Sequence, residues 1–327
     1  MTLRRFLSRF AIGSAAAVVG LLLLLAAYSW YTVASFDTET LPVRYGQFDL
    51  QLFAPEGPPR PLIVGLGGAE GGNSWTAKRW KAQRERFEQQ GYAFLAVGYF
   101  GLPNTPADLD RIAVDRLAAA IREVARRPEV ADACTIVLGG SRGAELALVL
   151  AAYDPEVDGV VALSPSDTVF PAHTQAMNTS SWAFEGKALP FAPMPWSATF
   201  DLVRGNILGV MERILANEAS AAAAAIPVER INGPVLLISS TGDEMWPATR
   251  MSRRLIQRLD AHGFPHVHRH VEVEGGHTAV ADHFDVVEEF LATVVSSQRG
   301  CELQQAGVSD PESEHERRAV MGGATGT

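Results

Sequence analysis

The chain has 327 residues, 47% apolar and 20% charged, which suits a globular protein with a sizeable core. A formal net charge of -9 argues against nucleic acid as a partner. Two cysteines, Cys134 and Cys301, form neither a disulfide framework nor a metal-ligand spacing. Cys134 opens an apolar run and reads as a small core residue, while Cys301 lies in a polar tail; the two are expected to stay apart.

Arg4, Arg5 and Arg9 precede a stretch from Phe10 to Tyr31 without a charged residue, long enough to cross a bilayer as a helix. Tyr28, Trp30 and Tyr31 cluster at its end, as interfacial aromatics do. Two readings stand: a retained anchor, or a signal peptide cut near Ala34. The apolar run is longer than a usual signal core, which favours the anchor. Arg4-Arg5-Phe6-Leu7 is close to a twin-arginine signal but lacks the residue expected between the two pairs. The positive-inside rule leaves the arginines in the cytoplasm and everything after Tyr31 outside. If the segment is cleaved, the protein is secreted.

Gln47 to Phe53 alternates polar and apolar and predicts a strand with one wet face. Pro61 to Gly65 predicts a buried strand, running into Gly65-Leu66-Gly67-Gly68-Ala69-Glu70-Gly71-Gly72-Asn73-Ser74. Glycines at this density let backbone N–H groups approach a ligand. The absence of a Gly-Lys-Ser/Thr ending disfavours a Walker-type nucleotide site. Thr76 to Gln90 predicts a helix carrying Lys78, Arg79, Lys81, Arg84 and Arg86. That basic run suits either a phosphorylated ligand or lipid, or simply a solvated face. Tyr92 to Val97 predicts another buried strand, and Ala107 to Arg127 a long amphipathic helix.

Thr135 to Leu138 is a short apolar run that meets Gly139-Gly140-Ser141-Arg142-Gly143, and Ala144 to Ala152 then supplies strong helix formers. Strand, tight turn and helix with a serine at the apex make a Gly-x-Ser-x-Gly nucleophile elbow. An ordinary glycine-rich turn has the same pentapeptide; the flanking strand and helix favour the catalytic reading. Gly159 to Leu163 predicts a strand. Residues 165–227 then break the strand-helix beat with prolines, scattered aromatics and a helix-like stretch from Leu202 to Ala225. An insertion here is expected to act as a cap over the site. Pro234 to Ser240 predicts a strand ending in Thr241-Gly242-Asp243-Glu244-Met245-Trp246-Pro247, followed by a helix over 248–261. His268 to Val273 predicts the final strand, ending in Glu274-Gly275-Gly276-His277, and Asp282 to Val295 a closing helix.

Alternation of strands and helices predicts an α/β architecture, a mainly parallel sheet with helices on both faces. Chemistry in such sheets gathers at the carboxyl ends of the strands, where Ser141, Asp243 and His277 all fall. Serine, acid, histidine is the chain order of the α/β-hydrolases. Ser141 is the candidate nucleophile, His277 the base and Asp243 the group orienting the imidazole. The oxyanion donors are then the backbone N–H of Arg142 and that of Gly68 or Ala69. Glu244 competes with Asp243, but lies further from the strand end. His266, His268 and His270 alternate along a strand but have no carboxylate or cysteine in a recognisable spacing, so no metal is expected, nor any cofactor. His283 is peripheral on the last helix.

These residues resemble the C-terminal catalytic domain of acyl-CoA thioesterases and bile acid-CoA:amino acid N-acyltransferases. The likeness rests on the segments 65–72, Tyr99-Phe100-Gly101-Leu102-Pro103, 139–145, Ile226-Pro227-Val228-Glu229-Arg230-Ile231, 242–247 and Gly275-Gly276-His277, over about residues 45–297. The resemblance implies a thioester-cleaving serine hydrolase with Ser141, Asp243 and His277 as its triad. Family members that transfer the acyl group to an amino acid have cysteine at the nucleophile position, so Ser141 favours hydrolysis. The family's eukaryotic enzymes carry an N-terminal β-sandwich; an apolar segment and a short strand region stand in its place here.

The expected organisation is a membrane anchor or signal over 1–34, a catalytic domain over 35–298 with the cap at about 165–227, and a disordered tail over 299–327. The expected function is cleavage of a small-molecule acyl thioester. The alternatives are an extracytoplasmic carboxylesterase acting on non-CoA esters, and a non-catalytic binding protein that keeps only the fold. Acyl-CoA is cytoplasmic, whereas the charge rule places the domain outside. Either the substrate is another ester or thioester, or the topology is reversed.

Overall fold

The computed structural model describes residues 3–54, 56–297 and 301. Helix α1 (Leu3–Ser35) comes first. None of the described side chains in its stretch Ala16–Ser35 is buried, and the stretch is long and apolar enough to cross a membrane. Its last turn is tied down: Asn178 donates its side-chain N–H to the Val33 carbonyl at 3.1 Å. Arg111 donates to the carbonyls of Thr38 and Asp37 just beyond.

Seven strands form the main sheet: β1 (Asp49–Phe53), β2 (Arg60–Leu66), β3 (Ala93–Gly98), β4 (Val130–Gly140), β5 (Gly159–Leu163), β6 (Val235–Ser240) and β7 (His268–Val273). Their order is β1-β3-β2-β4-β5-β6-β7, with only β1 antiparallel to its neighbour. This is the α/β-hydrolase arrangement. The register pairs Leu66 with Gly139, Gly140 with Leu163, and Ser240 with Val273. The loops that follow β2, β4, β5, β6 and β7 therefore leave the sheet at one edge.

Alternation along the strands feeds two cores. Leu62, Val64, Val137, Val235 and Leu237 face one side; Ile63, Ile136, Leu138, Leu236 and Ile238 face the other. Helices α2 (Lys81–Gln89), α3 (Val114–Ala125) and α4 (Arg142–Tyr153) follow their strands as expected. The basic run at the start of α2 dissolves into separate pairings rather than one charged face. Arg79 meets Glu70, Lys81 meets Glu85, Arg86 meets Glu288, and the buried Arg84 lies over the Phe53 ring. Helix α3 starts seven residues later than the periodicity predicts. Residues 112–113 instead pair with Trp182–Phe184 in a small second sheet, and Arg111 sits at φ 45° with its guanidinium on Asp110.

The helix predicted from Leu202 to Ala225 is three short ones: α5 (Thr199–Val203), α6 (Ile207–Leu215) and α7 (Glu218–Ala223). Gly205 takes φ +71°, and Asn206 and Asn217 cap new helices by accepting the N–H of Gly209 and Ser220. Helix α8 (Ala248–Ala261) precedes β7, and α9 (Phe284–Thr293) closes the second core.

The cysteines correct the sequence-based expectation: Cys134 and Cys301 form a disulfide, their Cα atoms 5.0 Å apart. The chain beyond α9 is not wholly polar in effect. Val295 and Cys301 are both buried, in the same cluster as Cys134 and Ile136 at the start of β4. The tail expected to be disordered otherwise lies outside the described residues.

Candidate active site

The site grows out of the turn between β4 and α4. Ser141 sits at φ 56°, ψ −121°, a conformation that costs a non-glycine residue about 1–3 kcal/mol. It is held there by its N–H donating to the Leu163 carbonyl at 2.8 Å. Two glycines make the turn possible. A Cβ on Gly139 would strike the Gly143 carbonyl, and one on Gly143 would strike that of Gly67.

The structure brings the three predicted residues together. His277 Nδ1 lies 2.8 Å from Asp243 Oδ2, and His277 Nε2 lies 2.9 Å from Ser141 Oγ. A carboxylate only accepts, so Nδ1 carries the proton and Nε2 is left to accept the serine hydroxyl. Asp243 Oδ1 accepts the N–H groups of Met245 (2.8 Å) and Trp246 (3.1 Å), which fixes the carboxylate. Glu244 does not compete for the ring: its Oε2 accepts the backbone N–H of His277 at 2.9 Å. The two adjacent acids thus grip one histidine by its ring and by its backbone.

Sequence reasoning missed a third grip. Ser164, just after β5, adopts φ 48° and donates its hydroxyl to the His277 carbonyl at 2.8 Å. Its own carbonyl accepts the indole N–H of Trp246 at 3.2 Å, and that indole meets the His277 ring edge-on, 5.5 Å between centroids. Only the dipeptide Ser164-Pro165 at a strand end hinted at it.

The glycine loop after β2 stands against the serine. Gly68 and Ala69 line the same cavity as Ser141, and a Cβ on Gly68 would come 3.3 Å from that of Ser141. Tyr99 holds this loop by donating its hydroxyl to the Gly67 carbonyl at 2.6 Å, and burial pushes that phenol well above its ordinary range. Gly72 donates its N–H to the Phe100 carbonyl, so the two glycine-containing motifs are bonded to one another.

Arg142 points away from the cavity. Its buried guanidinium donates to Glu145 Oε2 at 2.6 Å, to Ser181 Oγ, and to the carbonyls of Phe170 and Pro171. Glu145, also buried, accepts from Trp182 Nε1 at 2.7 Å and from the Phe170 N–H. Burial lifts the Glu145 carboxyl to about 7. This pair bolts the insertion to the elbow helix.

The cavity measures about 550 Å³ and is walled largely by apolar groups. Trp75, Trp80 and Phe284 form an aromatic wall, with Trp75 and Trp80 centroids 4.8 Å apart. None of its lining residues comes from 165–227. The insertion instead stands behind His277, where Phe170 stacks on Trp246 in a cluster that also holds Ala198 and Val210. No group of three or more histidine, cysteine or carboxylate side chains suited to a metal occurs among the described residues. His270 bonds Ser239 and His268 bonds Asp260.

Relatives and structural neighbours now bear on this geometry. Mouse peroxisomal succinyl-coenzyme A thioesterase is 27% identical over 226 residues, 68% of this chain and 50% of that protein. Human acyl-coenzyme A thioesterase 1 is 24% identical over 263 residues, 78% of this chain and 58% of that protein. The chain thus spans about half the length of the curated relatives it matches. Among solved structures, a Mycobacterium tuberculosis puromycin-hydrolyzing peptidase superposes with a TM-score of 0.52 at 16% identity, covering 79% of this chain and 38% of its own. A Pyrococcus horikoshii acylaminoacyl peptidase does so with 0.52 at 15%, covering 77% and 40%. At such identities these two share the fold alone. Residues 112–297, more than half the chain, match the family model described as BAAT / Acyl-CoA thioester hydrolase C terminal, and the chain belongs to that family.

Proposed function

We propose that this chain is a serine hydrolase that cleaves acyl thioesters through an acyl-Ser141 intermediate. The observation that carries the reading is the line of hydrogen bonds from Asp243 through His277 to Ser141, ending at an apolar cavity. Ser141 Oγ attacks the acyl carbon while its proton passes to His277 Nε2. Asp243 stabilises the imidazolium that results. The N–H of Arg142, at the first position of α4, and that of Gly68 or Ala69 hold the charge on the carbonyl oxygen. The imidazolium then returns its proton to the departing thiolate, and a water activated by His277 releases the acid. No cofactor enters these steps.

The proposed organisation places α1 in a membrane and the catalytic domain, from residue 35 onward, on the extracytoplasmic side. The arginines before α1 and the Cys134–Cys301 disulfide support that side, since disulfides persist in oxidising compartments. The same disulfide favours a second reading, hydrolysis of esters or thioesters without coenzyme A, because that coenzyme is cytoplasmic.

The test uses full-length protein in detergent. A fluorophosphonate probe should label Ser141, and Ser141→Ala should abolish both labelling and hydrolysis of acyl-CoA and p-nitrophenyl esters. Wild-type protein that is folded yet never labelled would sink the mechanism. The ratio of rates on acyl-CoA and on simple esters separates the two substrate readings.

A further inference from the structure

Outside α1, few large apolar side chains of the described residues stand exposed, and four fall within eight positions. Trp196, Phe200, Leu202 and Val203 are 61, 64, 38 and 81% exposed. They lie on the turn Trp196–Ala198 and on α5, in the insertion. The segment is anchored, not frayed: Ala198, between the two aromatics, is fully buried with Phe170, Val210 and Trp246. Large apolar groups held this rigidly in water mark a surface that meets something apolar. Arg204 places its guanidinium 5.1 Å from the Phe200 ring centroid, a cation beside an aromatic as suits a headgroup layer.

The chain itself points to the occupant. Helix α1 buries none of the described side chains of its apolar stretch, and its end is bonded to the insertion through Asn178 and Val33. The neighbouring Thr179 carbonyl accepts from Ala172, and Phe170, two residues earlier, packs in the cluster that buries Ala198. The end of α1 and the exposed face are thus both fixed to the same insertion. The face and the site share one neighbour. Trp246 belongs to that same cluster, and its neighbour Met245, 37% exposed, lines the cavity.

We propose that Trp196, Phe200, Leu202 and Val203 rest in the interfacial layer of the bilayer that α1 enters, and that the acyl substrate reaches the cavity from the lipid. Both halves rest on the membrane reading of α1, and the second rests on the hydrolase reading as well.

The full chain is reconstituted into phosphatidylcholine vesicles with brominated acyl chains, and tryptophan quenching is compared with that of Trp196→Ser. Trp30 in α1 supplies a constant quenched fraction. A further quenched fraction, lost in the variant, is the expected result; equal quenching in both proteins overturns the docking face. In a second arm, Phe200→Ser with Val203→Ser should lower kcat/KM on a vesicle-embedded long-chain ester roughly tenfold, since interfacial binding scales with buried apolar area. Hydrolysis of soluble p-nitrophenyl butyrate should be unchanged. Equal losses on both esters overturn delivery from lipid. A detergent-solubilised dimer that the double variant dissolves would assign the face to a second copy and overturn the proposal. If wild type hydrolyses neither ester, the hydrolase reading and with it lipid delivery fail, while quenching still decides the face.

Discussion

Reducing the Cys134–Cys301 disulfide should destabilise the fold by several kcal/mol. The bridge closes a loop of 167 residues that includes β4 to β7, all of the insertion and the three site residues. Loop-closure entropy for that length gives about 5 kcal/mol, a ceiling because native strain and residual unfolded structure subtract from it. A loss of about 2–5 kcal/mol is therefore expected, a large share of a domain's usual 5–15 kcal/mol. The assay is urea unfolding of wild type and Cys301→Ser, each with and without dithiothreitol. Cys301 is the better site to change, because both cysteines are buried but Cys134 lies inside the central strand β4 whereas Cys301 lies past the last helix. Wild type should fall to the level of the variant on reduction, and the variant should not respond. Oxidised wild type with two free thiols, or midpoints that ignore the reductant, would refute the assignment and remove one support for the extracytoplasmic side.

Ser164→Ala removes the hydroxyl that holds the His277 carbonyl; we expect kcat to fall about fivefold with KM little changed, consistent with about 1 kcal/mol per hydrogen bond. The rate of fluorophosphonate labelling should fall in parallel, and unchanged labelling would deny Ser164 a role in placing the imidazole. Glu145→Gln puts a neutral group of the same shape beside Arg142, so by urea unfolding the variant should hold its stability with rising pH where wild type loses it. Since burial raises Glu145 from 4.5 to about 7, folding takes up a proton between those values. The stability it contributes is present below pH 4.5 and lost as pH rises through about 7. That slope should be absent in the glutamine variant, and its persistence there would place it on another group.

The elbow was legible because it is local: strand, glycines, serine and helix are contiguous, and backbone strain at Ser141 is what Gly139 and Gly143 permit. Asp243 was legible because it follows the apolar run of β6, and His277 because it follows the alternating strand β7 and the pair Gly275-Gly276. Ser164 was not, since its part depends on a positive φ and on a partner more than a hundred residues away. The start of α3 was misread because residues 107–113 carry helical periodicity yet are claimed by a buried Asp110–Arg111 pair and a bridge to Trp182. The insertion was expected over the cavity because of where it interrupts the strand-helix alternation. Its apolar groups are spent instead on Trp246 and on the surface, and the wall comes from Trp75, Trp80 and Phe284.

The rim of the cavity bears on what leaves the site. Its charged side chains, Glu70, Arg79 and Glu244, are engaged with the protein itself: Glu70 accepts from Ser74 at 2.5 Å and from Arg79, and Glu244 holds the His277 backbone. The acyl side, by contrast, is enclosed by aromatic rings whose burial of a hydrocarbon chain contributes about 0.8 kcal/mol per methylene. Affinity on the proposed reading therefore comes from the acyl group, and the leaving group is met mainly by solvent and by the proton on His277. Such a site discriminates weakly between thiol and alcohol leaving groups. On the same reading, which bond is cleaved is set by the acyl compounds within reach of the site, more than by Ser141, His277 and Asp243.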